Sequence, residues 1–160
     1  MSRPVRVHLG NDHGGVPLRD VVQQVVEALG GSIPSCAGPE TATDSVDYPD
    51  VAASVAARVV DDPQSFGLLI CGTGQGVAMT ANRFAGVRAG VVADTFSARM
   101  LREHNDANVL CLGARVVGPG LAADIVRTFL ATPFSGDARH RRRIEKIQAQ
   151  ADSAKSGAKE

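Results

Sequence analysis

The sequence predicts an α/β fold built on a parallel sheet, and three observations carry that prediction. Short β-branched or apolar runs alternate about five times with longer stretches of helical periodicity. One run, Leu68-Leu69-Ile70, is apolar without alternation, as in a strand buried on both faces. Polar, glycine-rich segments follow the first, third and fifth runs. In a parallel sheet that places them on one edge, beyond the strand carboxyl ends, where such folds bind ligands.

Val5-Arg-Val-His-Leu9 alternates and is β-branched, a first strand. It enters Gly10-Asn-Asp12-His13-Gly14-Gly15, a glycine-flanked polar loop. From Val16 to Leu29 apolar residues recur at helical spacing, Pro17 suits the first turn and Gly30-Gly31 ends the helix. Ser32 to Ala37 is a weaker second strand. A polar loop, Gly38 to Asp47, leads through Tyr48-Pro49 to an Ala/Val-rich helix over Asp50 to Val60. The third strand ends at Cys71 and meets a glycine turn, then a helix from Val77 to about Arg83. Val87 to Val92 is strand four, and Asp94-Thr95 caps a helix reaching Glu103. A polar segment, His104 to Asn108, precedes strand five, Val109 to Leu112. Pro119 begins a helix over Leu121 to Leu130, and Ser135-Gly-Asp137 caps a last, basic one. Together these make a three-layer, Rossmann-like sandwich: a five-stranded parallel sheet with helices on both faces. One domain covers residues 1–152, and 153–160 is expected to be a disordered tail.

Composition excludes several function classes. Zero formal net charge argues against nucleic acid or a membrane surface as partner. No apolar run approaches the roughly 20 residues of a membrane span, and the N-terminus lacks a signal-peptide pattern. Three cysteines, Cys36, Cys71 and Cys111, form no CxxC pair, so neither a disulfide framework nor a zinc knuckle is indicated and a cytoplasmic location is expected. The histidines are not at ligand spacing with carboxylates, so no metal and no cofactor is expected. Aromatics are 4% with no Trp, which leaves little for stacking bases.

The chemistry concentrates in Phe66-Gly-Leu-Leu-Ile-Cys71-Gly-Thr-Gly-Gln-Gly76. A strand, a glycine turn and a helix start aim backbone N–H groups at an anion, and a thiol there sits in a field that favours thiolate. Rival readings fit less well. A dinucleotide loop needs G-x-G-x-x-G after the first strand, whereas here Val77 stands where the third glycine belongs. A P-loop needs Gly-Lys-Ser/Thr, which is absent. A cysteine phosphatase loop needs an arginine where Val77 is. A buried structural thiol beside a tight turn is the plain alternative, and Cys36 and Cys111 are assigned to it. Asp12-His13 is either a turn with a helix cap or an active-site pair on the Cys71 edge. His104 is either a surface-loop residue or a general acid/base near neutral pH. Arg139 and Arg143, four apart on one helix face, can grip a phosphate; a solvated face is the alternative. His8 is expected inside strand one and His140 on a solvent face. The set suits proton transfer on a phosphorylated sugar, or, without catalysis, a nucleotide- or phosphate-binding module.

Asp12-His13-Gly14-Gly15, Asp47-Tyr48-Pro49, Ile70-Cys-Gly-Thr-Gly-Gln-Gly76, Ala81-Asn82 and Gly86-Val-Arg88-Ala together resemble ribose-5-phosphate isomerase B. So do Arg102-Glu-His104-Asn105-Asp106-Ala-Asn108-Val-Leu and Gly113-Ala-Arg115-Val-Val-Gly118. The family also holds isomerases of allose, galactose and tetrulose phosphates. The resemblance implies that Cys71 moves a proton between C1 and C2 through a cis-enediolate. It implies that Gly72, Thr73, Gly74 and Gly76 hold the enediolate oxygens and that His104 opens the furanose ring with Asp12 or Thr73. It further implies that His13, Arg139 and Arg143 bind the phosphate, with Tyr48, Asn105 and Arg115 lining the pocket. A second subtype uses a glutamate at the position of Val77, so this chain is similar to the cysteine subtype. A homodimer, or a tetramer built from it, with a site shared between subunits is also implied. Gln75, where the family is often apolar, and the extra Arg141 and Arg142 are departures.

Overall fold

A computed structural model describes residues 4–156. Five strands form one sheet: β1 (Arg6–Asn11), β2 (Ser32–Ala37), β3 (Phe66–Cys71), β4 (Ala89–Val91) and β5 (Val109–Gly113). Their order is β2-β1-β3-β5-β4 and every pairing is parallel. Six α-helices connect and cover them: α1 (Val16–Ala28), α2 (Tyr48–Asp61), α3 (Gln75–Ala81), α4 (Thr95–Glu103), α5 (Pro119–Ala131) and α6 (Ala138–Ser156). The expected three-layer α/β sandwich is the one observed.

Strand periodicity builds the two cores. Along β3, Leu68 and Ile70 face a cluster with Val22 and Val26 of α1 and Ile125 and Phe129 of α5. Leu69 and Cys71 face the opposite one, with Val55 and Val59 of α2 and Val77 and Ala81 of α3. Both faces are apolar, which is why Leu68-Leu69-Ile70 shows no alternation. Chain order reverses between β1 and β3, where Asn11 pairs with Ile70. The crevice outside their carboxyl ends is therefore the expected ligand position.

Several boundaries differ from expectation for local reasons. Helix α2 begins two residues earlier, at Tyr48, because Pro49 fits its first turn. Strand β4 keeps only three residues. Beside it, Asn82 ends α3 as C-cap and pairs its side chain with the backbone of Ala89 (2.8 and 2.9 Å). Cys36, expected in a buried setting, is exposed because β2 is an edge strand. Helix α6 continues through Ser156, into the segment expected as tail, and 157–160 lie outside the described residues. Among the described residues no helix is long and apolar enough to cross a membrane.

His8 lies within β1 as expected and is buried. Its Nδ1 shares a 2.6 Å hydrogen bond with Ser35 Oγ, while Nε2 stops 3.8 Å from Asp62. Burial pushes its pKa down, Asp62 opposes that, and Arg58 and Arg6 add to the lowering. A depressed folded pKa makes the unfolded chain the better proton binder. This contribution to stability is complete above about pH 6.5, the ordinary value, and is lost as pH falls through the folded one. Urea unfolding at pH 7.5 and 5.5 checks this: the wild type loses more stability across that interval than His8→Gln does.

Candidate active site

Cys71 ends β3 with 5% of its surface exposed. Its Sγ accepts the Gly74 N–H at 3.0 Å. That contact needs Gly74 in the left-handed region, φ +81°, where a Cβ would sit 3.0 Å from Val91 Cγ1 and 3.1 Å from the Leu112 carbonyl carbon. Thr73 Oγ1 accepts the Gln75 N–H at 3.3 Å. Among the described residues, the amides of Gly72, Thr73 and Gly76 donate to no protein acceptor. The Gly74 amide, implied as an oxyanion donor, is directed at the thiol instead. Arg115, just beyond β5, lays its guanidinium over Gly72, 3.4 Å from where a Cβ would stand. Tyr48 packs its ring against Gly76, where a Cβ would come within 2.5 Å of it.

The β1 loop meets this one across the switch point. The Asp12 N–H donates to the Ile70 carbonyl at 3.2 Å, and its Oδ1 accepts the Gly15 N–H at 3.0 Å. Asp12 thus caps a single 3-10 turn, His13–Gly15, that carries the next side chain. His13 Nδ1 is buried without a hydrogen-bond partner. Beneath the loop, fully buried Asn11 donates to the carbonyls of Asp12 (3.0 Å) and Pro39 (2.9 Å) and accepts from Arg19 at 2.9 Å. Sequence reading passed over Asn11 and Arg19. The available signal was an arginine beside Leu18 and Val22 on the apolar face of α1.

Asp12, His13, Tyr48, Cys71, Gly72, Thr73, Gly74, Gly76 and Arg115 therefore gather at the carboxyl edge of the sheet. His104 and Asn105 do not join them. They precede β5, whose first residue pairs with Gly67 and with Ala89, and so lie at the amino edge. Five residues of β5 at ~3.3 Å each put about 15 Å between the two edges. At the amino edge His104 caps the end of α4, with Nε2 3.9 Å from Glu103. Asp106, at φ +45°, is held there by Arg102 (2.9 Å) and Arg88 (3.1 Å). Aspartate is among the few residues that tolerate this backbone.

Arg139 and Arg143 belong to the same amino-edge cluster, on α6. His140 is not on the solvent face expected of it: it is 3% exposed, its Nδ1 is 2.8 Å from Ser135 Oγ, and its ring centroid is 4.3 Å from that of His104. Spacing carried the signal, because His140, Ile144 and Ile147 recur on one helical face. Burial lowers its pKa most; His104, Arg139 and Arg143 lower it further, and Asp137 opposes them. A cavity of about 370 Å³ opens beside this cluster, lined by Phe84, Leu101, Asn105, Ile144 and Ile147. It lies away from Cys71. Cys111 is wholly buried, and burial followed by the nearby Cys71 pushes its thiol up, so it remains a core group.

An α/β enzyme with a thiol and open amides at its switch point is the class these features define. The family model described as Ribose/Galactose Isomerase matches residues 7–147, and the chain belongs to that family. Ribose-5-phosphate isomerase B of Escherichia coli (strain K12) is 39% identical over 145 residues, 90% of this chain and 95% of its own. D-erythrulose-4-phosphate isomerase of Pectobacterium atrosepticum is 35% identical over 130 residues, 81% of this chain and 85% of its own. The solved type B ribose 5-phosphate isomerase of Trypanosoma cruzi is 46% identical with a TM-score of 0.86, covering 92% of this chain and 99% of that one. The protein is a sugar phosphate isomerase.

The crowding at Gly74 gives a local test. Gly74→Ala forces a side chain into the left-handed region against Val91 and Leu112 and should cost about 1–2 kcal/mol in urea denaturation. Gly120→Ala, in α5 with nothing within 4 Å, should change stability by under about 1 kcal/mol and in the favourable direction.

Proposed function

We propose that this isomerase interconverts ribose 5-phosphate and ribulose 5-phosphate, with Cys71 as the base. One observation carries the reading: the Cys71 sulfur, hydrogen-bonded by Gly74, stands beside the open amides of Gly72, Thr73 and Gly76 at the switch point of the sheet. The thiolate removes the C2 proton of the open-chain aldose and the same sulfur returns a proton to C1, while the O2 hydroxyl proton passes to O1 and leaves the carbonyl at C2. Negative charge that builds on O1 and O2 in the cis-enediolate is met by those amides and the Thr73 hydroxyl. Ring opening comes first: His104 gives a proton to the ring oxygen while Asp12 takes the proton of the anomeric hydroxyl, and the C1–O bond to the ring breaks. His13, Arg139 and Arg143 hold the phosphate, and Tyr48, Asn105 and Arg115 line the pocket. The step needs no metal or cofactor. Three free cysteines support a reducing cytosol as its compartment.

These roles require two copies of the chain. Cys71 and His104 lie at opposite edges of one sheet, so a complete site joins the carboxyl edge of one protomer to the amino edge of its partner. Met79, Phe96 and Val116, 69%, 62% and 59% exposed, supply apolar surface for that interface. The P. atrosepticum relative, whose name specifies a four-carbon substrate, supports a second reading in which a different sugar phosphate is preferred.

Purified enzyme is expected to isomerise ribose 5-phosphate at an unchanged rate in EDTA. Cys71→Ala should lose two to four decades of that rate, on the order of a missing general base. Cys71→Ser, nearly isosteric but far less acidic, should lose as much. Activity abolished by EDTA, or retained by Cys71→Ala, contradicts the mechanism. A panel of tetrose, pentose and hexose phosphates ranked by kcat/KM decides between the two substrate readings.

Site sharing has its own test. Cys71→Ala and His104→Asn chains, each impaired alone, are unfolded together and refolded as a mixture. Half the dimers are then hybrids with one intact site of two, so about a quarter of wild-type activity should return. No recovery contradicts a shared site.

A further inference from the structure

Beside His104, the amino edge holds a second imidazole that the proposed reaction leaves without a task. His140 is buried to 3% exposure, so protein groups rather than water fix its ring. Its Nδ1 pairs with Ser135 Oγ at 2.8 Å. The backbone N–H of that serine donates to the Glu103 carbonyl at 3.0 Å, one residue before His104. The pin that holds His140 is thus anchored on the helix that carries His104. Ring to ring, the two imidazoles stand 4.3 Å apart between centroids, tilted by 37°. Among the described residues His104 has no comparable fastening: its side chain is 39% exposed and Glu103 approaches Nε2 only to 3.9 Å, too far for a hydrogen bond.

We propose that His140 is a positioning residue for His104, its stacked ring setting the orientation in which His104 passes a proton to the sugar ring oxygen. The charges around it fit that task. His104 faces it from the end of α4, with Glu103 3.9 Å from the His104 Nε2, Asp137 from the connecting segment, and Arg139 and Arg143 from its own helix. Two imidazolium rings at this separation repel, and burial and the arginines already disfavour a charge on His140. A neutral His140 is the form these neighbours favour.

This inference rests on His104 opening the ring, and the substrate pair allows the two ideas to be separated. Ribose 5-phosphate is a furanose that must open. Ribulose 5-phosphate cannot close one, because its O5 carries the phosphoryl group. Deuterium wash-in from D2O at C1 of ribulose 5-phosphate therefore reads enediolate formation without any ring step. The intact enzyme and four variants are compared on ribose 5-phosphate turnover and on this exchange.

His140→Asn should lower turnover about ten-fold, in the range set by misplacing a reacting group, and leave exchange within about two-fold. His140→Phe restores a ring against His104 and should recover turnover to within about three-fold of wild type. Ser135→Ala frees the His140 ring without removing it and should lower turnover by a few-fold, again sparing exchange. Equal losses in both readouts for His140→Asn, or no loss, or a His140→Phe variant no better than Asn, would overturn the positioning role. His104→Asn separates the layers. If it lowers turnover selectively while His140→Asn does not, positioning alone fails. If it lowers both readouts equally, ring opening by His104 fails and the inference falls with it.

Discussion

The site depends on one short contact, the Gly74 N–H at 3.0 Å from the Cys71 sulfur. Folding the chain back over its own strand end requires a left-handed residue with no side chain, wedged against Leu112 and Val91. Those neighbours stay in place because β5 pairs with β3 on one side and β4 on the other. The sulfur is fixed by the sheet rather than by a mobile loop, and the next amides are left facing the crevice. Packing, backbone conformation and chemistry meet in that turn.

Around it, the remaining groups are held by devices of the same kind. Asp12 caps the 3-10 turn that presents His13, and buried Asn11 and Arg19 tie that loop to the carbonyls after β2. At the amino edge, Asp106 in a left-handed conformation is clamped between Arg88 and Arg102 just after His104 and Asn105. Each cluster is tied together by hydrogen bonds within one chain, and the sheet lies between them. In the proposed mechanism, proton transfer at carbon and proton transfer at the ring oxygen fall at opposite ends of the same fold. The proposed mechanism therefore calls for a symmetric pair, in which each protomer would offer both ends.

Much of the fold was legible because it rests on local pattern. Apolar runs gave five strands, helical spacing gave the helices, and glycines after the first and third strands marked the switch point. Tyr48 at the head of α2 was harder to place, since Pro49 both interrupts a chain and starts a helix. The site was legible only where it is local. Cys71 and its glycines announce themselves, and the family resemblance supplied partners that spacing could not. What stayed hidden acts through space: Arg19 under the β1 loop, Asp106 between two arginines, and His140 behind His104. A basic run reads as a solvated face until the apolar Ile144 and Ile147 on the same stripe are given weight. His104 was read only as part of a polar segment before strand five, and it is the register of β5 against β3 and β4 that puts it at the amino edge, away from Cys71.

The central claim is that Cys71 carries a proton between adjacent carbons through an enediolate. It is tested most directly by converting ribose 5-phosphate deuterated at C2 in ordinary water and measuring the deuterium at C1 of the ribulose 5-phosphate formed. A thiol that takes and returns the proton predicts partial loss of label to solvent, at a rate that collapses in Cys71→Ser. Complete retention of deuterium at C1, at an undiminished rate in that variant, would contradict the account.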